Sequence, residues 1–123
     1  VSKIFIFIET KLFSRIVEDY LTDAQYAQLQ EALMRNPESG RVVPGSGGVR
    51  KLRWGQPGRG KRGGIRIIYY LERADGIIWM LTLNAKNETS DIAPETLRKI
   101  KDEIDAQAKS DIGEEILTGI PRA

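Results

Sequence analysis

The sequence predicts an α+β domain, and three observations carry that prediction. A β-branched and aromatic run lies near the start, apolar stripes of helical period follow it, and three further β-rich runs joined by turn signals precede a last helical stripe. The order strand, helices, strand meander, helix describes helices layered on an antiparallel sheet.

Residues 3–8, "KIFIFI", suit a short buried strand that the charged "ETK" ends. A helical segment, "LFSRIVEDY", comes next, with Leu12, Ile16 and Tyr20 at i, i+4 and i+8. Thr22 with Gln25 three residues later forms a capping-box signature for a second helix, whose buried face carries Tyr26, Leu29 and Leu33. Asn36, Pro37 and Gly40 stop it. "VVPGSGG" reads as a loop, and residues 49–54, "VRKLRW", as a strand with Val49, Lys51 and Arg53 on one side and Arg50, Leu52 and Trp54 on the other. "IRIIYYLER" and "IIWMLTLN" are the next strands, the Asp75-Gly76 pair being a hairpin turn signal between them. Pro94 can open a helix because its missing N–H costs nothing in the first turn, and Leu97, Ile100 and Ile104 give that helix its apolar stripe. The stretch from Ser110 onward reads as a helical extension or a mobile tail.

Composition removes several functions. The 123 residues, 41% hydrophobic and 29% charged, fit one globular core, with no internal repeat and no second domain. There is no cysteine and no histidine, which excludes disulfides, thiolate zinc sites and the Ser-His-Asp and Cys-His nucleophile systems. Acid–base chemistry is left to Lys, Tyr, Glu, Asp or water. No apolar run approaches the roughly 20 residues of a membrane span, and "KIFIFIE" lacks the pattern of a secretory signal, so a cytoplasmic protein is expected.

The formal net charge of +2 conceals an uneven distribution. Arg50, Lys51, Arg53, Arg59, Lys61, Arg62 and Arg66 fall together with no acid among them, whereas acids dominate from Glu88 onward. Within the basic stretch, "WGQPGRGKRGG" nearly satisfies two glycine-rich phosphate-binding signatures. Both require a helix after the glycines, and here a strand follows; Arg62 also occupies the position of the magnesium-binding hydroxyl. The glycines alone fit a solvated hairpin loop. The crowded cations do not, because their repulsion serves no folding purpose, and a polyanionic partner would relieve it. Antiparallel pairing of the two flanking strands can bring Lys51, Arg53, Arg66 and Tyr70 onto one face, with the loop cations at its rim. Lys51 is then a candidate proton acceptor, since neighbouring cations disfavour an added positive charge.

The combination "GSGGVRKLRW", "GKRGGIRIIYYL" and "LTLNAKNETSDI", preceded by a helical "YLTDAQYAQLQEALMRNPESG", resembles the RelE/HigB toxins of bacterial type II toxin–antitoxin modules, closest to the HigB-like branch. The resemblance covers roughly residues 3–105 and implies a small RelE-like fold: a twisted antiparallel sheet with two N-terminal helices and a C-terminal helix. Residues 1–109 would form the toxin domain and 110–123 the extension. It further implies a metal-independent endoribonuclease, with no cofactor, that cuts mRNA on the ribosome by attack of a nucleotide's own 2′-OH on the adjacent phosphate. A cognate antitoxin of helix-turn-helix type, HigA-like, would neutralise it, and operator DNA would be met only through that antitoxin.

By position, the resemblance implies that Lys51 and Arg53 supply a base and a phosphate cation, that Arg66 stabilises the transition state, and that Lys86 and Glu88 assist charge and proton transfer. Arg50, Arg59, Lys61, Arg62, Trp54, Tyr70 and Asn87 would meet RNA or the ribosome. Asn87 stands where some relatives have an arginine, and Ala93 near where some have a tyrosine. Trp54, Tyr69 and Tyr70 suit core packing as well as base stacking, and Lys86 with Glu88 suits an ordinary turn pair. Two other readings share the fold: a ParE-like poison of DNA gyrase, and a non-catalytic antitoxin-binding corepressor.

Overall fold

The computed structural model describes residues 5–55, 64–73, 76–85 and 92–118. Its strands, β1 (Ile6–Glu9), β2 (Arg41–Val42), β3 (Val49–Trp54), β4 (Ile65–Arg73) and β5 (Ile77–Ala85), form one sheet of order β1-β5-β4-β3-β2. β2 to β5 pair antiparallel, as expected. β1 departs from that expectation by joining β5 in parallel. Two helices and the meander intervene between these strands, so no hairpin can connect them, and a long crossover of this kind permits parallel pairing.

Local chemistry sets the helix limits. The Thr10 hydroxyl accepts from Phe13 N–H at the start of α1 (Lys11–Ile16) and donates to the carbonyl of Leu81 at 2.7 Å. That carbonyl belongs to a residue skipped in the β4–β5 pairing, where Ile68 faces Thr82 and Tyr69 faces Met80. The cap of α1 thus fastens a β-bulge. The single helix expected over 12–20 ends instead at Ile16 and tightens into a 3₁₀ turn, Val17–Asp19. The N–H groups of Tyr20 and Leu21 both reach the Val17 carbonyl, at 3.0 and 2.9 Å, which closes the helix before the next cap. Thr22 and Gln25 form the expected reciprocal capping box of α2 (Asp23–Arg35). α3 (Pro94–Thr118) continues past position 110 without a break.

The sheet separates two cores. α1 and α2 cover one face, where Phe13, Leu29, Leu33, Ile65, Ile67, Tyr69, Ile78, Met80 and Leu83 are buried together. Phe13 and Tyr26 join the helices by a tilted ring contact at 5.6 Å. The Tyr26 hydroxyl donates to Glu9 at 2.7 Å, and burial first, then this carboxylate, raises its pKa. α3 covers part of the opposite face with Leu97 and Ile104 over Val49, Ile68, Tyr70 and Leu81.

β2 replaces part of the loop expected at "VVPGSGG" because the chain is drawn across the first core by Tyr69. Its hydroxyl donates to the Pro37 carbonyl at 2.7 Å and accepts from Gly40 N–H at 2.9 Å. A Cβ at Gly40 would lie 2.8 Å from the Tyr69 ring, so only glycine fits here. Ser46, fully buried, bonds the Val43 carbonyl and the Val49 N–H and closes the loop after β2. Gly47, at φ +79°, seats that loop against the Lys101 stem of α3.

Candidate functional site

The register of β3, β4 and β5 fixes which polar side chains meet. Arg53 pairs with Arg66, and Arg66 with Asn84, so these three form one row across the sheet on the α3 side. The next row is Lys51, Ile68 and Thr82. The side-chain period of a strand puts Lys51 and Arg53 on one face, roughly 7 Å apart along β3. The expected juxtaposition of Lys51, Arg53 and Arg66 is therefore present. Like charges directly opposite in a ladder are destabilising, so the Arg53–Arg66 pairing is a feature that folding alone does not favour.

Beside this row the N-terminal turn of α3 rises over the sheet and leaves a cleft of about 220 Å³, lined by Val43, Lys51, Ile68, Asn84, Ile92, Pro94 and Leu97. The helix starts at Pro94, so its positive dipole end adds to the local potential of Lys51. Asn84 Oδ1 is buried here, and it is the one buried side-chain polar atom among the described residues without a hydrogen-bond partner.

Tyr70 shares the face but not the row. It stands opposite Val49, is buried beneath α3, and donates its hydroxyl to Asp105 at 3.0 Å. Asp105 also pairs with Lys101 at 2.8 Å. Burial, then the hydrogen bond to Asp105, pushes the Tyr70 phenol up to about 12, and the same carboxylate raises Lys101. Tyr70 thus stays neutral over the physiological range and acts as a strut between sheet and helix.

Arg50 and Trp54 point to the other face, as their alternation with Lys51 and Arg53 requires. The Arg50 guanidinium donates to the carbonyls of Gly40, at 2.8 Å, and Glu38, at 3.1 Å, and lies 3.7 Å from the Glu38 carboxylate. It clamps the turn before β2. Trp54 packs, half-buried, on the core beneath α1 and α2. Neither is brought to the cationic row. Arg59, Lys61, Arg62, Lys86, Asn87 and Glu88 lie outside the described residues. The strands from which they depart end at Trp54, Ile65 and Ala85, all beside the row.

Asn84 was not among the candidates read from the sequence. The signal was present in "LTLN", where Thr82 and Asn84 place two polar side chains at i and i+2 in an otherwise apolar strand. Period-two polarity marks one sheet face as different, and only the pairing with β4 shows that this face is the one carrying Arg66.

Residues 3–118 match the family described as the RelE toxin of the RelE / RelB toxin-antitoxin system. The chain belongs to the RelE toxin family. Membership agrees with the α+β fold, a mixed five-stranded sheet with three helices, and makes the chain the toxin partner of a cognate antitoxin. In this RelE-family toxin, no helix among the described residues is long and apolar enough to cross a membrane. The site cations Lys51, Arg53 and Arg66 are carried on paired strands, whose ladder holds their spacing more firmly than a loop could.

Proposed function

We propose that this RelE-family toxin is a metal-independent endoribonuclease that cleaves mRNA on the ribosome and so inhibits translation. The observation that supports this most is the row formed by Arg53 and Arg66, with Lys51 one step along β3. In the proposed reaction the 2′-OH of one nucleotide attacks the adjacent phosphorus, its proton leaves to a base, and the bond to the 5′-oxygen of the next nucleotide breaks. The products are a 2′,3′-cyclic phosphate, or the 3′-phosphate formed from it, and a 5′-hydroxyl.

Such a reaction accumulates negative charge on the phosphoryl oxygens, and preorganised cations aimed at that charge are the largest contribution a protein makes. Two guanidiniums on adjacent strands can hold the non-bridging oxygens from two sides. We assign Arg53 and Arg66 to this task and Lys51 to the proton on the 2′-OH or to the same phosphate. Lys86 and Glu88 follow directly on the strand that carries Asn84, and are assigned to the leaving oxygen. Arg59, Lys61 and Arg62, with Asn87, would meet ribosomal and messenger phosphates, and the partner antitoxin would be a HigA-like helix-turn-helix protein that alone contacts operator DNA.

The test is the addition of purified protein to translating ribosomes. New 5′-hydroxyl ends inside codons, lost in Arg66→Ala at unchanged fold, support the reading. Intact mRNA with trapped gyrase–DNA breaks would instead select gyrase poisoning. Antitoxin binding without either outcome would leave a corepressor.

A further inference from the structure

The sheet ends on one side in β2 and on the other in β1, and the two edges differ in character. β2 is a pair of exposed residues, Arg41 and Val42, and a short, charged edge of this kind discourages pairing with another chain. β1 is built the opposite way. Phe7, with Phe5 just before the strand, packs on the core beneath α1 and α2, while Ile6 and Ile8 lie on the other face beside Ile77 and Trp79. Apolar residues on both faces belong to a strand in the interior of a sheet. Among the described residues β1 nevertheless pairs with β5 alone, and Ile6 is 43% exposed.

The open edge presents a defined set of groups. Ile6 N–H donates to the Gly76 carbonyl at 2.7 Å and Thr10 N–H to the Met80 carbonyl at 3.1 Å, so the even-numbered residues turn their main-chain groups to β5. Strand alternation then directs the N–H and C=O groups of Phe7 and Glu9 outward. Beside them, on the helix side, lies a groove of about 600 Å³ lined by Phe7, Glu9, Lys11, Ser14 and Arg15. Lys11 and Arg15 stand one turn apart on α1, both exposed, and neither joins an ion pair among the described residues. The acid of the groove, Glu9, is held by the Ser14 hydroxyl at 2.5 Å and the Tyr26 hydroxyl at 2.7 Å, one on each oxygen. The groove therefore offers main-chain hydrogen bonds, an apolar ring and two uncompensated cations to an extended strand that carries a carboxylate.

We propose that this strand is β1 of a second copy of the chain, paired antiparallel about a two-fold axis at Ile8. In that register Phe7 of one copy and the partner's Glu9 exchange both main-chain bonds, and the symmetry repeats the exchange. The partner's Glu9 then stands opposite Phe7, with Cα atoms roughly 5.5 Å apart, on the face where Lys11 and Arg15 line the groove. Its carboxylate keeps lone pairs beyond those used by Ser14 and Tyr26, so each copy brings the anion that the other's cations lack. On the opposite face Ile8 meets the partner's Ile8 and carries the apolar pair of Ile8 and Trp79 across the axis. An isologous contact of this kind uses both β1 edges and leaves the short β2 edges outside, which stops the assembly at a dimer. The axis lies at the far end of the sheet order from β3 and is independent of the reaction assigned to Arg53 and Arg66.

Sedimentation equilibrium of the purified chain from about 1 to 200 µM should show a monomer–dimer equilibrium with a dissociation constant on the order of 1 to 100 µM, as a narrow interface gives. Ile8→Lys sets two ammonium groups against each other at the axis and should weaken the dimer at least about tenfold at unchanged circular dichroism, and mixing it with Ile8→Glu should restore association. The chain has no cysteine, so Ile8→Cys introduces a single thiol. Facing Cα atoms at the axis are roughly 4.5 Å apart, within the span of a disulfide. Mild oxidation should cross-link Ile8→Cys at least about tenfold faster than Met34→Cys, a 41% exposed position on α2.

A wild type that stays monomeric at about 200 µM, with Ile8→Cys cross-linking no faster than Met34→Cys, overturns the proposal. A dimer that Ile8→Lys leaves intact overturns it as well, since the interface then lies elsewhere. If the amides of Phe7 and Glu9 gain protection from hydrogen exchange only in the complex with the antitoxin, and not with rising concentration of the chain alone, the edge belongs to an antitoxin strand and the second copy is overturned.

Discussion

Replacing Arg53 by glutamine should move stability and activity in opposite directions. Arg53 is exposed and faces Arg66 directly across the β3–β4 ladder. With Cβ atoms of opposed residues about 5 Å apart, the cationic groups can splay to roughly 6 Å. Two unit charges at that distance in water repel by about 0.7 kcal/mol, and screening at physiological ionic strength, with a Debye length near 8 Å, halves this to about 0.3 kcal/mol. Arg53→Gln keeps most of the stem and removes the charge, so folding should gain about 0.3 to 0.7 kcal/mol, a rise in Tm of roughly 1 to 4 °C. The gain should shrink toward zero in molar salt, where the Debye length is about 3 Å. Cleavage should fall by about 100- to 1,000-fold, the usual loss when one preorganised donor to a developing oxyanion is removed. Thermal melts at low and high salt measure the first effect, and appearance of 5′-hydroxyl mRNA ends measures the second. A salt-independent loss of stability above about 1 kcal/mol would show that the fold, not a ligand, needs Arg53, and undiminished cleavage would remove it from the reacting phosphate.

Three further outcomes test the fold that holds this row. Gly40→Ala places a methyl 2.8 Å from the Tyr69 ring and 3.2 Å from the backbone carbon of Lys51; overpacking of this kind should cost about 1 to 3 kcal/mol in urea denaturation. Thr10→Val removes the cap of α1 and the donor to Leu81 together, and should cost about 1 to 2 kcal/mol, with faster amide exchange at the bulge as the specific mark. Tyr70 ionises at about 12 in the fold against an ordinary 10.0, so its neutral form is the one the native state favours. Its contribution to stability is full below pH 10 and is lost as pH rises toward 12; Tyr70→Phe should make that part of the stability–pH curve shallower, the remaining slope coming from Tyr26 and Tyr69, whose pKa values are also raised.

The strands and caps were legible in the sequence because their signals are local. Thr22 and Gln25 announce α2 by a reciprocal bond that needs no tertiary partner, and "VRKLRW" shows by alternation which three side chains share a face. What the sequence hid depends on pairing. β2 forms where Tyr69 and Arg50 hold residues 37–40 in place, and β1 lies parallel because its partner is supplied from far along the chain. The same holds for the candidate site. Opposition of Arg53 and Arg66 follows from a register that could equally have placed Arg53 opposite Ile68, and Asn84 enters only because β5 continues that row. Arg50 and Trp54 show the reverse: they belong to the basic stretch by sequence, but strand alternation turns them to the helix-covered face.

The division between the two faces explains how one small sheet can carry both a stable core and a row of mutually repelling cations. The face under α1 and α2 is apolar nearly throughout, from Ile65 through Leu83, and bears most of the hydrophobic burial. Among the described residues, α3 is the helix that closes the opposite face. There Tyr70, Asp105 and Lys101 tie helix to sheet, and the loop closed by Ser46 props the helix from the side. α3 begins at Pro94, so among the described residues its cover reaches Ile68 and ends at the row of Arg53, Arg66 and Asn84, where Pro94 and Leu97 line a cleft with Asn84. Where the helix starts therefore decides which polar side chains are available to a partner. Moving that start one turn earlier along the chain would carry α3 over the cleft that Asn84 lines. Proline at 94, which fits the first turn of a helix but not its interior, guards against that shift and so keeps α3 from extending over the row.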